Sequence, residues 1–180
     1  MKETSYTLLS GKKIYVYDGA IPLQLRDFFF TFAQNSLYKI DWKDGNSEKM
    51  VKHNFLYSPF SDIDNFNGKL WPYIQSTKIF EHVKDLKMMK SLINLSVPSD
   101  THFAHAHPEK KVILYYANLE WEHHWHGETL FYTEDLNEIE LAIRYVPGRI
   151  AVFDADIPHA IRPQSYSAAN FRYTYTMTFN

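Results

Sequence analysis

From Ser91 to the C-terminus the chain is a succession of short β-branched and aromatic runs, and this pattern restricts its fold more tightly than any other feature. Residues 92–97, 102–107, 112–118, 130–132, 149–154 and 171–179 read as strands, separated by turn signals such as Pro98-Ser99-Asp100 and Pro147-Gly148. Short strands at such spacing predict a sandwich or barrel, of which the jelly roll, a double-stranded β-helix, is one solution. The last run is the most informative. Phe171, Tyr173, Tyr175, Met177 and Phe179 alternate with Arg172, Thr174, Thr176 and Thr178, so one face is apolar and the other carries a cation among hydroxyls. Such a strand either wets its polar face or turns it into a barrel that holds an anionic ligand.

The first ninety residues read as mixed support for that β-rich half. A β-prone run over residues 13–17 closes at Asp18-Gly19, and Pro22 stands where a helix would begin, with Leu25, Phe28, Phe29 and Phe32 as its apolar stripe. Residues 41–52 and 58–68 read as loops, and the segment after Pro72 as one or two helices with Ile79, Val83 and Leu86 on one face. With no repeat and no Gly/Ser/Pro linker, residues 1–180 are expected to form a single domain: a mostly β fold whose N-terminal helices flank the jelly roll.

Composition removes several functions. Nineteen basic and 21 acidic residues give a net charge of −2 with no basic run longer than a pair, so no electrostatic grip on nucleic acid or membrane is expected. The polar first residues lack the apolar core of a signal peptide, and no stretch approaches transmembrane length; a soluble, cytoplasmic protein is the expectation. Cysteine is absent, which excludes disulfides, thiolate metal sites and a thiol nucleophile.

Histidine, in contrast, is abundant: seven of the nine lie between positions 102 and 159. His105 and His107 alternate along an expected strand, which puts both imidazoles on one side, and His159 follows a later apolar strand that a barrel could bring alongside. Three side chains on one face of a metal, with the opposite face open, suit catalysis at iron. His102 has the opposite parity and is expected to point away. His123, His124 and His126 read as a solvated or outer loop cluster, and His53 and His82 as ordinary surface or helix residues.

The order of motifs resembles the Fe(II)- and 2-oxoglutarate-dependent dioxygenases, in particular the prolyl-4-hydroxylase-like branch. Val97-Pro98-Ser99-Asp100 followed by His105-Ala106-His107 resembles that family's proline turn and first ligand pair. Tyr115-Tyr116-Ala117-Asn118 with Trp121, Gly127-Glu128-Thr129-Leu130-Phe131, the segment from Pro147 to Phe153, His159-Ala160-Ile161-Arg162-Pro163 and Phe171-Arg172-Tyr173 continue the match in order.

What the resemblance implies is specific. His105 and His159 match the two histidine ligands of iron. Arg172 matches the cation that pairs with the distal carboxylate of 2-oxoglutarate, a task for which a planar guanidinium fork is suited. Tyr116 matches a tyrosine that bonds the same carboxylate, Thr174 shares the polar face of Arg172, and Arg162 is a second candidate for the cation. The departure is His107, where the family has a carboxylate. Three readings are open: His107 is the third ligand itself; Glu109 or Asp100 supplies a displaced carboxylate; or water or an anion fills the position. The three-histidine set is the preferred reading, and its neutral imidazoles raise the net charge at iron in favour of a dianionic cosubstrate. The implied activity is hydroxylation of a small-molecule or peptidyl substrate with release of succinate and carbon dioxide, using Fe(II), 2-oxoglutarate and, as an optional addition, ascorbate. A cupin-like three-histidine metalloenzyme without cosubstrate and a non-catalytic jelly-roll binding module are the alternatives.

Overall fold

The structure, a computed structural model, describes residues 1–45, 47–59 and 69–180. Among these residues an eight-stranded antiparallel sheet faces a three-stranded one. In spatial order the large sheet holds β1 (Lys2–Thr7), β2 (Lys13–Asp18), β9 (Ile150–Asp154), β6 (Lys111–Tyr116), β11 (Arg172–Phe179), β5 (Met88–Ser96), β4 (Phe55–Pro59) and β3 (Lys39–Trp42). The small sheet holds β10 (His159–Ile161), β7 (Thr129–Tyr132) and β8 (Ile139–Ile143). This is the expected mostly β, jelly-roll architecture.

Period-two alternation in the two central strands divides the interior into two cores. Ile113 and Tyr115 of β6, with Tyr173, Tyr175, Met177 and Phe179 of β11, pack on the outer side beneath α1 (Leu23–Asn35). Phe29 of that helix is fully buried, with its ring edge-on to Tyr115 at 5.9 Å and to Tyr175 at 6.0 Å. The remaining stripe residues Leu25, Phe28 and Phe32 are partly buried against the same cluster. On the inner side Val112, Leu114 and Tyr116 meet Phe131, Ile143 and Phe153 between the two sheets. The even positions of β11 enter that space as polar groups: Arg172 and Thr174 are fully buried and Thr178 nearly so. The polar face of the last strand is therefore interior, not wet.

Four expectations are corrected by the backbone. Residues 102–107 do not form a strand; they make a single bridge at His105, because the Phe103 N–H is taken by the Asp44 side chain and the His107 N–H by the Ala155 carbonyl. The loop expected over residues 41–52 begins inside β3 and contains a 3-10 turn at Met50–Lys52. Ser58 and Pro59 close β4; the rest of the expected loop, residues 60–68, lies outside the described residues. The helix α2 (Leu70–Gln75) starts ahead of Pro72, which it accommodates in its first turn, where no N–H is needed. A 3-10 turn at Lys78–His82 follows and buries Ile79, with Val83 just beyond it. Among the described residues no helix is long and apolar enough to cross a membrane.

Candidate metal centre

Strand β10 starts with His159, and the chain folds back so that His105 bridges to it in both directions: the His105 N–H donates to the His159 carbonyl at 3.0 Å and the His159 N–H to the His105 carbonyl at 2.9 Å. The His107 N–H is anchored on Ala155, next to the end of β9, at 2.8 Å. These attachments gather three imidazoles whose ring centres lie 4.8, 5.0 and 5.1 Å apart, an almost equilateral triangle. One nitrogen from each lies within 4.8 Å of the others. His105 Nδ1 donates to the Phe103 carbonyl and His159 Nδ1 to the Ile157 carbonyl, each at 2.8 Å, which fixes the tautomer and leaves Nε2 as the free donor atom. Phe153 and Phe131 wall His159 at ring separations of 5.0 and 6.1 Å.

Burial, reinforced by the neighbouring His105, pushes His107 down to about 4, and burial with its two neighbours holds His159 well below the ordinary histidine value. Both are therefore neutral at pH 7, the form a metal requires. For the metal-free protein the sign follows directly. Below 6.5 the unfolded chain takes up a proton that folded His107 refuses until about 4, so stability falls as pH drops through that window. His107 alone is expected to cost about 2 kcal/mol between pH 7 and 5, with His159 acting in the same direction. Urea unfolding of chelator-treated protein at the two pH values measures it, and a flat profile would contradict it.

The same cavity is lined by Arg172 and Thr174. Arg172 Nε donates to the Gly127 carbonyl at 2.9 Å, and the guanidinium lies 5.0 Å from the Tyr145 ring centre and 5.7 Å from that of Tyr116. Both Nη atoms are buried without a hydrogen-bond partner among the described residues, as is Thr174 Oγ1. Gly127 has a φ of +78°, and a Cβ there would meet the Arg172 stem and the Trp121 ring at 3.2 Å, so a larger residue would be strained and would crowd the Arg172 stem. Unpaired, buried guanidinium nitrogens are costly unless a ligand satisfies them, and a carboxylate is the group they fit.

The other residues named from sequence are placed differently. Tyr116 is fully buried but is not part of the cavity wall; its hydroxyl shares a 2.7 Å hydrogen bond with Thr129, which is. Its strand parity points inward, and its hydroxyl is engaged by that residue of the cavity wall. Arg162 is half-exposed and faces Glu128 at 3.6 Å. Asp100 accepts from the Val97 N–H at 2.9 Å, and Glu109 is paired with Lys90 at 3.1 Å; neither joins the histidine triangle. His123 and His124 are exposed. His82 bonds the Tyr17 hydroxyl at 2.6 Å.

His102 does line the cavity, contrary to its parity, because its segment is not a regular strand. Its ring stacks on Phe55 at 3.9 Å, and its Nδ1 is paired with Asp44 at 3.3–3.4 Å. Asp44 itself was not foreseen: within Lys43-Asp44-Gly45 it carries only a turn signal. Burial pushes its pKa up, but the His102 hydrogen bond, the charges of His102 and His105 and the Phe103 N–H outweigh that, and the carboxyl stays below its ordinary value.

No model of a protein family matches the chain, and no curated protein matches it. Solved structures do. An oxidoreductase of the 2OG-Fe(II) oxygenase family from Burkholderia pseudomallei superposes with a TM-score of 0.67 at 10% identity, over 93% of this chain and 84% of that one. A prolyl-4-hydroxylase from Pseudomonas putida gives 0.63 at 15% identity, over 96% and 95%. A prolyl hydroxylase from Trichoplax adhaerens, solved with a peptide fragment of the hypoxia inducible factor oxygen degradation domain, gives 0.62 at 13%, over 92% and 82%. The likeness is one of fold.

Proposed function

We propose that this chain is a single-domain, non-haem Fe(II), 2-oxoglutarate-dependent oxygenase that hydroxylates a small-molecule or peptidyl substrate and releases succinate and carbon dioxide. The observation that carries the reading is the pair of unpartnered, fully buried Arg172 Nη atoms in the cavity of the histidine triangle. An isolated metal site needs no such cation, whereas a dianionic 2-oxo acid bound at a metal leaves a distal carboxylate that does. The likeness to prolyl hydroxylases supports the reaction class, and the Trichoplax enzyme's peptide supports keeping peptides among the substrates.

His105, His107 and His159 would hold the ion through neutral nitrogens. When bound, Fe(II) supplies the redox chemistry that couples oxygen and 2-oxoglutarate to C–H hydroxylation. Arg172 binds and orients the distal carboxylate, and the Thr174 hydroxyl beside it offers a further donor. Tyr116 holds the Thr129 hydroxyl at the cavity wall. Val112, Leu114 and Phe153 give the cavity a dry side that excludes water.

Anaerobic calorimetry should detect 2-oxoglutarate binding that requires added Fe(II) or Mn(II), and a substrate panel with iron, ascorbate and 2-oxoglutarate should release succinate. Absence of both sinks the reading. One observation favours a second, the three-histidine metalloenzyme without cosubstrate: among the described residues no carboxylate belongs to the triangle. Under that reading turnover is independent of 2-oxoglutarate and survives the loss of Arg172.

A further inference from the structure

Asp44 is a carboxylate with 1% of its side chain exposed, and it reaches the centre from a turn far away in sequence. Burying an ionised carboxylate is costly, so its position calls for partners that repay the desolvation. It has three. The Phe103 N–H donates to Oδ2 at 2.8 Å, His102 Nδ1 lies 3.4 Å from Oδ1, and His105 Nδ1 lies 3.8 Å from the same oxygen. The first two fasten the segment that carries His105. The third differs in kind: His105 Nδ1 already donates to the Phe103 carbonyl at 2.8 Å, so Asp44 acts on this imidazole as a nearby charge.

Three neutral imidazoles leave a divalent ion with its full charge, because none of His105, His107 and His159 is an anion. In a buried, weakly screened site a carboxylate on the far side of one ligand ring offsets that charge and strengthens the ring as a donor. We propose that Asp44 is the outer carboxylate of a three-histidine metal centre, supplying from outside the ligand set the negative charge that a carboxylate at position 107 would supply from within it. The inference rests on the metal centre proposed above and not on 2-oxoglutarate; Asp44 is a positioning residue that acts through His105.

The test is Mn(II) binding, followed by electron paramagnetic resonance, in the full chain and in Asp44→Asn, His107→Asp and the double variant. Asp44→Asn is expected to weaken Mn(II) binding about 10–100-fold beside His107. In the His107→Asp background, where the ligand set already holds an anion, the same change is expected to cost no more than about threefold if the charges substitute for one another. An equal loss in both backgrounds would reduce Asp44 to a fastener of the loop and overturn the proposal, as would no loss in either. No Mn(II) binding by the unaltered protein would remove the metal centre itself, while binding without 2-oxoglutarate affinity would leave Asp44's role standing and sink only the oxygenase reading. A second measurement needs no change at position 107: the Fe(III)/Fe(II) potential should move positive in Asp44→Asn, and an unchanged potential overturns the charge role. If Asp44→Asn does not fold, Asp44→Ser is carried through the same cycle with the same outcomes.

Discussion

Arg172→Gln is expected to lower kcat/KM for 2-oxoglutarate by about 10²–10³, with a matching loss of calorimetric affinity, because truncating one partner of a buried, hydrogen-bonded charge pair costs about 2–5 kcal/mol. The ligand-free protein should not pay for the change. Among the described residues the Arg172 side chain makes one hydrogen bond, from Nε to Gly127, and leaves two buried nitrogens unmatched, so removing the cation relieves a desolvation cost. The thermal midpoint of the metal-free variant should therefore be unchanged or raised while cosubstrate binding disappears. Arg172→Lys keeps the charge but loses the planar fork and should recover only part of the affinity. Cosubstrate affinity within about threefold of the unaltered protein would exclude Arg172 as the carboxylate's partner.

The second large effect concerns His107. If it is a ligand, His107→Ala and His159→Ala should each lower Fe(II) or Mn(II) affinity by more than about 100-fold, since even outer partners of metal ligands are worth 10–100-fold. Metal content after equilibrium dialysis reads this directly, and succinate release should fall with it. His102→Ala, which removes a ring on the cavity wall outside the triangle, should retain metal far better. Metal retention in His107→Ala, with its loss in His159→Ala, would place the ion on two histidines and return Glu109 or Asp100 to contention, despite their present engagements with Lys90 and the Val97 N–H.

Why some of this was legible in sequence and some was not has a physical basis. The two faces of β11 are a local pattern, set by the period of a strand, whereas His105 and His107 are brought together by tertiary bonds and not by the strand period that suggested it. The ordered motifs are what pointed to His159 and Arg172 as candidates. Asp44 left no such trace: its contacts to His102 and Phe103 span 58 and 59 residues, and nothing near position 44 announces them. The course of residues 102–107 was misread for a related reason, since the β-prone run is overridden by tertiary bonds to Asp44 and Ala155. Strand β1 was missed because its residues, exposed apart from a half-buried Thr4, carry almost no apolar signal. Tyr116 was named only through the resemblance, and only packing could show its hydroxyl engaged with Thr129 of the cavity wall.

Strand β11 pairs with β5 on one side and β6 on the other while dividing its side chains between the apolar core and the cavity. A slip of one residue along either neighbour would drive the Arg172 guanidinium beneath α1 and thrust Tyr173 into the cavity, exchanging core and site in a single move. Correct assembly and chemical competence are thus the same event for this strand. A chain that settles out of step cannot survive with a weakened site, because the error that would displace Arg172 also removes the reason for it to stay folded.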